Sequence, residues 1–154
     1  MDIHSSYLLS LTFYLLSFTF YLLSFIFYLT TQMSRGSITY EKSRKFASRI
    51  VKMYRFLCGN GEYVMSKQLL RSGTSIGANL AESVYAVSSS DFFNKVSIAL
   101  KECSETRYWL DLLYDNDFLT QKMFKSISKD CDDILHMLIA TIKTLRTKTS
   151  KEAK

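Results

Sequence analysis

A stretch of low charge and small side chains, from Gln68 to Ser83, constrains the fold of this chain more than any other feature. Leu69, Ile76 and Leu80 recur at helical spacing and give the stretch one apolar face. A second stripe consists of the small apolar residues Gly73, Gly77 and Ala81. A third stripe is polar and consists of Ser72, Ser75, Asn79 and Glu82. A helix with so few charges is typically buried on more than one side. The pattern therefore predicts the central helix of a bundle, and an oligomer that covers its remaining surface.

The composition favours long helices joined by short turns. The 154 residues include no proline and only five glycines, and prolines are the residues that most often interrupt helices. Hydrophobic periodicity predicts helices over about 37–58, 63–84, 91–114 and 120–146. Helices of similar length with short connections predict an all-α fold, an antiparallel up-down-up-down four-helix bundle.

The predicted helices carry inward-facing apolar stripes and recognisable turn residues. Gly59-Asn60-Gly61 is predicted to end the first helix with left-handed backbone, Ser90 to cap the third, and Asp115-Asn116-Asp117 to turn into the fourth. The predicted core positions of the first, third and fourth helices are Phe46, Ile50, Met53, Tyr54 and Leu57; Phe92, Val96, Ala99, Cys103, Leu110 and Leu113; and Phe124, Ile127, Cys131, Ile134, Leu138, Ile142 and Leu145.

Residues 1–32 form a separate apolar leader. Three seven-residue units that begin Tyr-Leu-Leu-Ser follow one another from residue 7 to residue 27, and residues 3–32 contain no Asp, Glu, Lys or Arg. This exceeds the ~20 apolar residues that a transmembrane helix needs. Near-identical copies also indicate that a short repeat in the DNA has been translated as if it were coding sequence. This favours Met33, the residue after the leader, as the true translation start. Two interpretations of residues 1–32 remain: a misassigned translation start, or a membrane anchor over residues 7–29. The rest of the chain is predicted to consist of the bundle at 33–148 and a basic tail at 149–154.

Charge is distributed unevenly along the chain. Residues 35–71 carry nine bases against two acids, residues 82–133 six against ten, and residues 143–154 five against one. In an up-down bundle the start of the first helix lies beside the end of the fourth, which predicts a basic end of the molecule. Its candidate nucleic-acid-binding residues are Arg35, Lys42, Arg44, Lys45, Arg49, Lys143, Arg146 and Lys148. With a pI near 9.2, this suits a phosphate backbone; the alternative is a solvated helix face without a ligand.

Catalytic and metal-binding patterns are not recognised in the sequence. His136 is the one histidine outside the leader, so a multi-histidine site is excluded, and we interpret it as a partly exposed helix residue. Cys58, Cys103 and Cys131 lack the spacing of a zinc site or a disulfide framework and suit core positions in a reducing cytosol. No phosphate-binding loop follows a strand. We therefore expect no enzymatic activity, no metal and no cofactor.

Carboxylates near the middle of the chain are predicted to serve structure. Glu82, Glu102 and Glu105 are not followed by histidine at the third position, as a bundle di-iron site requires. Instead, Asn79 and Glu82 are expected to meet residues 102–107 across the second and third helices. A buried polar seam of this kind sets helix register and requires hydrogen-bond partners.

Several motifs resemble one bacterial family. The motifs are Arg-Ser-Gly-Thr-Ser-Ile-Gly-Ala-Asn-Leu-Ala-Glu at 71–82, Asp-Phe-Phe-Asn-Lys at 91–95 and Ser-Ile-Ala-Leu-Lys-Glu-Cys-Ser-Glu-Thr-Arg-Tyr-Trp-Leu at 97–110. They resemble the four-helix bundle family named after proteins encoded in 23S ribosomal RNA intervening sequences. The same family is also labelled the S23 ribosomal protein family. The likeness covers residues 33–148. Ser83 departs from it, because the family usually has glycine there, so the exit from the second helix is expected to differ.

The resemblance implies a small cytoplasmic bacterial protein that assembles as a ring, often a pentamer, without known enzymatic activity. It also implies kinship with basic accessory proteins of diversity-generating retroelements, which bind nucleic acid and a reverse transcriptase. The motif and interface residues that it implies are Arg71, Ser72, Gly73, Ser75, Ile76, Gly77, Asn79, Glu82, Glu102 and Glu105.

Together these observations predict a non-catalytic homo-oligomeric bundle that binds RNA or a ribonucleoprotein partner through a basic end. One alternative is a protein-interaction scaffold whose charge serves solubility. The other is a membrane-tethered bundle, if residues 7–29 are translated.

Overall fold

The fold is all-α, as predicted. The computed structural model describes the backbone of residues 3–152 and the side chains of residues 12–26 and 38–147. All regular structure in these residues is helical: α1 (Ile3–Gly59), α2 (Met65–Ser83), α3 (Ser89–Asp115) and α4 (Gln121–Glu152).

Two helices are longer than the sequence pattern predicted. α1 begins at Ile3 instead of about residue 37, and α4 continues to Glu152, through most of the segment interpreted as a basic tail. The predicted bounds followed the apolar stripe, whereas a helix continues until a residue or a cap stops it. Residues 146–152 contain neither glycine nor proline, and Gly36 is the one glycine of residues 3–58, which also lack proline.

The chain divides into two compact units, Met1–Ser37 and Ile38–Lys154. In the first, the described side chains of residues 12–26 are exposed, with Phe13 80% and Tyr21 77% accessible. Nowhere among the described residues does a helix combine the length and the apolar character that crossing a membrane requires. Residues 7–11 and 27–29 of the predicted anchor lie outside the described side chains.

The second unit has a single apolar core to which all its helices contribute. The predicted core positions are confirmed: each is buried, apart from five that are half-buried, Met53, Tyr54, Phe92, Phe124 and Leu145. Leu69, Ile76 and Leu80 of α2 are buried as well. Periodicity located these residues because the period of a helix alone determines which of its residues share a face.

The glycine stripe of α2 packs against α1 of the same chain. A Cβ atom built on Gly73 would lie 2.9 Å from Cγ1 of Ile50, and one built on Gly77 would lie 3.4 Å from Oγ of Ser43. Both neighbours belong to α1, so the close helix approach predicted for this stripe occurs within the chain.

α1 and α3 end in the same hydrogen-bonded turn, the Schellman motif. After α1, Gly61 has a φ of 84°, and the amide of Glu62 donates to the carbonyl of Leu57 at 3.0 Å. After α3, Asp117 has a φ of 62°, and the amide of Phe118 donates to the carbonyl of Leu113 at 3.0 Å. The predicted left-handed turn at Gly59-Asn60-Gly61 and the turn at 115–117 are therefore confirmed.

The cap of α3 differs from the prediction, which placed it at Ser90. α3 begins at Ser89, and the residue before it, Ser88, is extended and accepts a hydrogen bond from the Asp91 amide at 3.1 Å. The Asp91 carboxylate in turn accepts from the Val87 amide at 3.2 Å. Three consecutive serines made the position ambiguous, and the hydrogen bond from the Asp91 amide to the Ser88 hydroxyl selects Ser88.

Glu62 caps the amino terminus of α2 with its carboxylate. Its two oxygens accept hydrogen bonds from the amides of Val64 at 2.8 Å, Met65 at 2.8 Å and Ser66 at 2.6 Å. Burial favours the neutral acid and would raise the pKa of Glu62, but the donors at Met65, Ser66 and Val64 outweigh it, so the net effect lowers that pKa. The buried carboxylate is therefore ionised and held by three backbone amides, that of the N-cap Val64 and those of the first two residues of α2.

This cap predicts a stability that depends on pH. Because the pKa of Glu62 is lowered by folding, its contribution is present above the unfolded value of about 4.3 and is lost as pH falls through the folded value. Glu62→Gln is expected to lower the free energy of unfolding at pH 7 by about 1–3 kcal/mol and to flatten its decline below about pH 4.3. Urea unfolding from pH 7 to pH 3 measures both, with the exposed Glu41→Gln as the matched control. An equal acid dependence in wild type and Glu62→Gln would contradict this role.

The two glycines of α2 predict opposite responses to alanine. Gly73→Ala forces a methyl group to within 2.9 Å of Ile50 and is expected to lower the free energy of unfolding by about 1–3 kcal/mol. Gly77→Ala places its methyl group 3.4 Å from Ser43 and is expected to raise that free energy by up to about 1 kcal/mol, through higher helix propensity. Thermal and urea unfolding compare the two variants, and equal shifts would refute the close α1–α2 contact at Gly73.

Candidate nucleic-acid interface

The predicted basic residues of α1 lie along its contact with α4. Nζ of Lys42 is 3.6 Å from Oδ2 of Asp133. One guanidinium nitrogen of Arg49 donates to the Ser126 carbonyl at 3.2 Å and the other to the Ser126 hydroxyl at 2.8 Å, and the same group forms an ion pair with Asp130. Residue numbers therefore rise along α1 as they fall along α4.

This register does not gather all the predicted residues at one end. Lys143 lies ten residues beyond Asp133 on α4, about 15 Å farther along the helix axis, and Arg146 lies farther still. The structure therefore separates both from Lys42. The side chains of Arg35 and Lys148 lie outside the described residues. The basic end therefore stays a prediction, because two of its members lie outside the described side chains.

Three of the predicted bases have acidic partners. Lys42 pairs with Asp133, Arg49 with Asp130, and Arg44 with Glu41 at 3.7 Å. All three pairs are at least partly exposed, so each contributes little to stability, but the acids offset the positive charge. Lys45 is exposed on α1 and forms no ion pair with any described residue.

Four lysines surround the contact between Arg49 and Ser126. Lys45 and Lys52 lie four residues before and three after Arg49, and Lys122 and Lys129 lie four before and three after Ser126. Residues at these spacings are neighbours on the same helix surface. All four side chains are exposed, and no acidic partner for them is found in the side chains that the structure describes. We call this set, Lys45, Lys52, Lys122 and Lys129, the lysine quartet.

Two further exposed bases extend the same surface. Arg55 lies three residues after Lys52 on α1, and Lys125 lies three after Lys122 on α4. The sequence interpretation overlooked five of these six bases because it compared helix ends and not helix faces. The seven-residue spacing of Lys45 and Lys52, and of Lys122 and Lys129, was the available signal.

The electrostatics of this surface favour a polyanion. Like charges on one face repel, which destabilises the compact state and raises the local concentration of counter-ions. Asp130 and Asp133 lie beside the lysine quartet, but they are engaged with Arg49 and Lys42. The arrangement therefore leaves a group of exposed cations that a row of phosphates would neutralise.

The motif residues of α2 lie on a different surface, against α3. Nη2 of Arg71 is 2.5 Å from Oε1 of Glu105, and the indole nitrogen of Trp109 donates to that same oxygen at 3.2 Å. The hydroxyl of Thr106 donates to the buried hydroxyl of Ser72 at 3.0 Å. These contacts fix α2 against α3 through polar groups.

The polar seam forms in a different register from the predicted one. Glu82 pairs with Lys95 of α3, and not with residues 102–107. Asn79 donates to the Ser75 carbonyl of its own helix at 2.9 Å. Glu82 lies ten residues beyond Ser72, so the Ser72–Thr106 contact places it opposite the amino-terminal part of α3. Sequence spacing identified the face but not this offset.

The remaining motif residues divide between the core and the seam. Gly73, Ile76 and Gly77 are buried towards the interior. Glu102 is half-buried, and its Oε2 atom is inaccessible and has no hydrogen-bond partner among the described residues. Among the described contacts of the seam, Ser72 with Thr106 and Arg71 with Glu105 are hydrogen-bonded.

Groups able to support catalysis are few in the described part of the chain. No cluster of three or more His, Cys, Asp or Glu residues suited to a metal occurs there. His136 lies on α4, as predicted, and its side chain is exposed instead of partly exposed. Sγ of Cys103 and Sγ of Cys131 lie 3.8 Å apart in the core as free thiols. The hydrogen bond with Cys103, and then burial, raise the pKa of Cys131, so this thiol stays protonated and is a poor nucleophile.

Comparison with known proteins places these features in a family. No curated protein matches the chain. A solved structure, that of a protein with unknown function from the S23 ribosomal protein family of Bacteroides thetaiotaomicron VPI-5482, is 49% identical, with a TM-score of 0.69, over 71% of this chain and 98% of that chain. The 23S rRNA-intervening sequence protein family matches residues 35–140, which include the seam, both glycines of α2 and the lysine quartet. The chain therefore belongs to the 23S rRNA-intervening sequence protein family.

Proposed function

We propose that this chain is a non-catalytic RNA-binding protein, a four-helix bundle whose lysine quartet contacts the RNA. The exposed cluster of unpaired lysines around Arg49 and Ser126 is the observation that carries the proposal. The surface is a side of the bundle formed by α1 and α4, and so differs in position from the basic end predicted from the sequence.

An antiparallel up-down-up-down bundle is supported by contacts around the second unit. α1 meets α2 at Ile50 and Gly73, and α2 meets α3 through Ser72. α3 meets α4 at the two core thiols, and α4 returns to α1 at Ser126. At successive contacts along a pair, residue numbers rise on one helix and fall on the other, as Lys42–Asp133 and Arg49–Asp130 illustrate.

A binding role accounts for the charges better than catalysis does. The carboxylates of the family motif are engaged with bases, Glu105 with Arg71 and Glu82 with Lys95, and the core thiol of Cys131 is held protonated. The resemblance to basic bundles that bind nucleic acid, given by the sequence motifs, supports a nucleic acid as the polyanion. We place the protein in the cytoplasm because its three cysteines are free thiols.

RNA binding by the lysine quartet predicts a strong dependence on salt. Replacement of Lys45, Lys52, Lys122 and Lys129 together by alanine is expected to weaken RNA binding by more than about tenfold near 100 mM salt, because phosphate contacts release counter-ions. Fluorescence anisotropy of a labelled ribosomal RNA fragment measures this. Lys101→Ala, an exposed lysine of α3, is the matched control and is expected to retain wild-type affinity. Absence of RNA binding by the wild type at low salt would refute the proposal.

A protein-interaction scaffold is the competing proposal, and the same variant separates the two. A scaffold whose charge serves solubility is expected to keep its protein partner after the quadruple substitution, and to lack salt-sensitive affinity for RNA. Pull-down of partners with wild type and variant, before and after ribonuclease treatment, distinguishes them. Partners lost both on ribonuclease treatment and on substitution of the quartet favour RNA binding.

We also propose that the chain forms a homo-oligomer, a pentamer by resemblance to its family. α2 contributes to the accessible surface of the single chain through Lys67, Arg71, Ala78 and Glu82, which a second copy would cover. Native mass spectrometry is expected to give a multiple of the 17.8 kDa chain mass. A monomer at micromolar concentration would contradict the oligomer and would leave the RNA proposal intact.

A further inference from the structure

We infer that the lysine quartet holds the phosphate backbone of a base-paired RNA duplex and reads no base sequence. The inference rests on the proposed RNA-binding function and specifies its ligand. Three observations carry it: the spacing of the four lysines, the lack of an aromatic platform beside them, and the engaged state of the central arginine.

The quartet forms two rows on a rigid surface. Lys45 and Lys52 are seven residues apart on α1, and so are Lys122 and Lys129 on α4; each pair spans about 10.5 Å along its helix. Packed helices have axes about 8–10 Å apart, and the Arg49–Ser126 contact holds these two together at the centre of the quartet. A duplex offers two phosphate strands at a fixed separation, which suits two fixed rows of cations.

A single strand lacks its usual recognition elements on this surface. Proteins that bind single strands stack successive bases on several aromatic side chains. Among the described residues of the α1–α4 surface, Phe56 offers an exposed ring, 43% accessible, four residues beyond Lys52 at the edge of the quartet. One ring can stack on one base, so binding energy must come from phosphates.

Within the quartet, base reading lacks a free arginine fork or side-chain amide. Sequence-specific contacts use arginine or lysine on guanine and the amides of Asn and Gln on adenine, and of these cations only arginine offers a rigid planar fork. The guanidinium at the centre of the quartet, that of Arg49, already donates to both oxygens of Ser126 and pairs with Asp130. The four cations of the quartet are lysines, which act as point charges without fixed planar geometry, and the exposed Arg55 lies outside the quartet, three residues after Lys52. The quartet therefore recognises charge and shape, and not sequence.

The test compares duplexes with their own strands, using the full chain. Two RNA duplexes of about 16 base pairs with unrelated sequences, and each of their separated strands, are titrated by anisotropy between about 50 and 200 mM salt. We expect each duplex to bind at least about tenfold more tightly than its strands and the two duplexes to agree within about twofold. The slope of log K against log salt is expected to be near −3.6 for about four phosphate contacts.

Three variants complete the test. Removal of one lysine from each row, Lys45→Ala with Lys129→Ala, is expected to reduce the slope by about 1.8, whereas Lys101→Ala leaves it unchanged. Phe56→Leu is expected to change duplex affinity by less than about twofold, because no base stacks on the ring.

The outcomes separate this inference from the function on which it rests. Tighter binding to single strands, or a large loss with Phe56→Leu, would overturn the duplex assignment while RNA binding itself stands. A strong preference for one of the two duplexes would overturn the claim that no sequence is read. Absence of binding to every RNA would remove the proposed function instead.

Discussion

The close approach of α2 to α1 at Gly73 is the constraint on which the rest of the second unit depends. Ile50 fills the space that a side chain at Gly73 would occupy, which fixes the rotation of α1 about its axis. Arg49 is the preceding residue and so points about 100° away, towards Ser126 of α4. The contact at a glycine on one side of α1 therefore determines which of its residues face α4, and with them the position of the lysine quartet.

Sequence reasoning succeeded where the information is local. Which residues share a helix face follows from the period of 3.6, so core positions such as Ile50, Leu110 and Leu138 could be predicted individually. The turn at Gly61 and that at Asp117 were also readable, because left-handed backbone restricts residue choice. A resemblance carried by residues 71–110 then indicated the family. Each of these inferences needs one helix or one turn at a time.

Register between helices, in contrast, could not be read from spacing. Glu82 was expected to face residues 102–107, yet it meets Lys95, because the Ser72–Thr106 contact sets a different offset. The spacing along the axis between Lys42 and Lys143 was likewise not available from the sequence, because it depends on which residue of α4 lies opposite Lys42. Both depend on how far one helix slides along another, and that is decided by side-chain packing across the interface, which periodicity does not encode.

The placement of acids explains why Lys122 and Lys129 remain uncompensated although acids outnumber bases over residues 82–133. Asp132 of α4 and Asp111 of α3 both pair with Arg107, 3.4 Å and 3.3 Å away, at the α3–α4 interface. Asp130 and Asp133 are taken by bases of α1. Solubility alone is served by interspersed charges of both signs. Here the acids next to the lysines are engaged at helix–helix contacts, and the lysines are exposed. The exposed lysines repel one another, and a bound polyanion would relieve that repulsion.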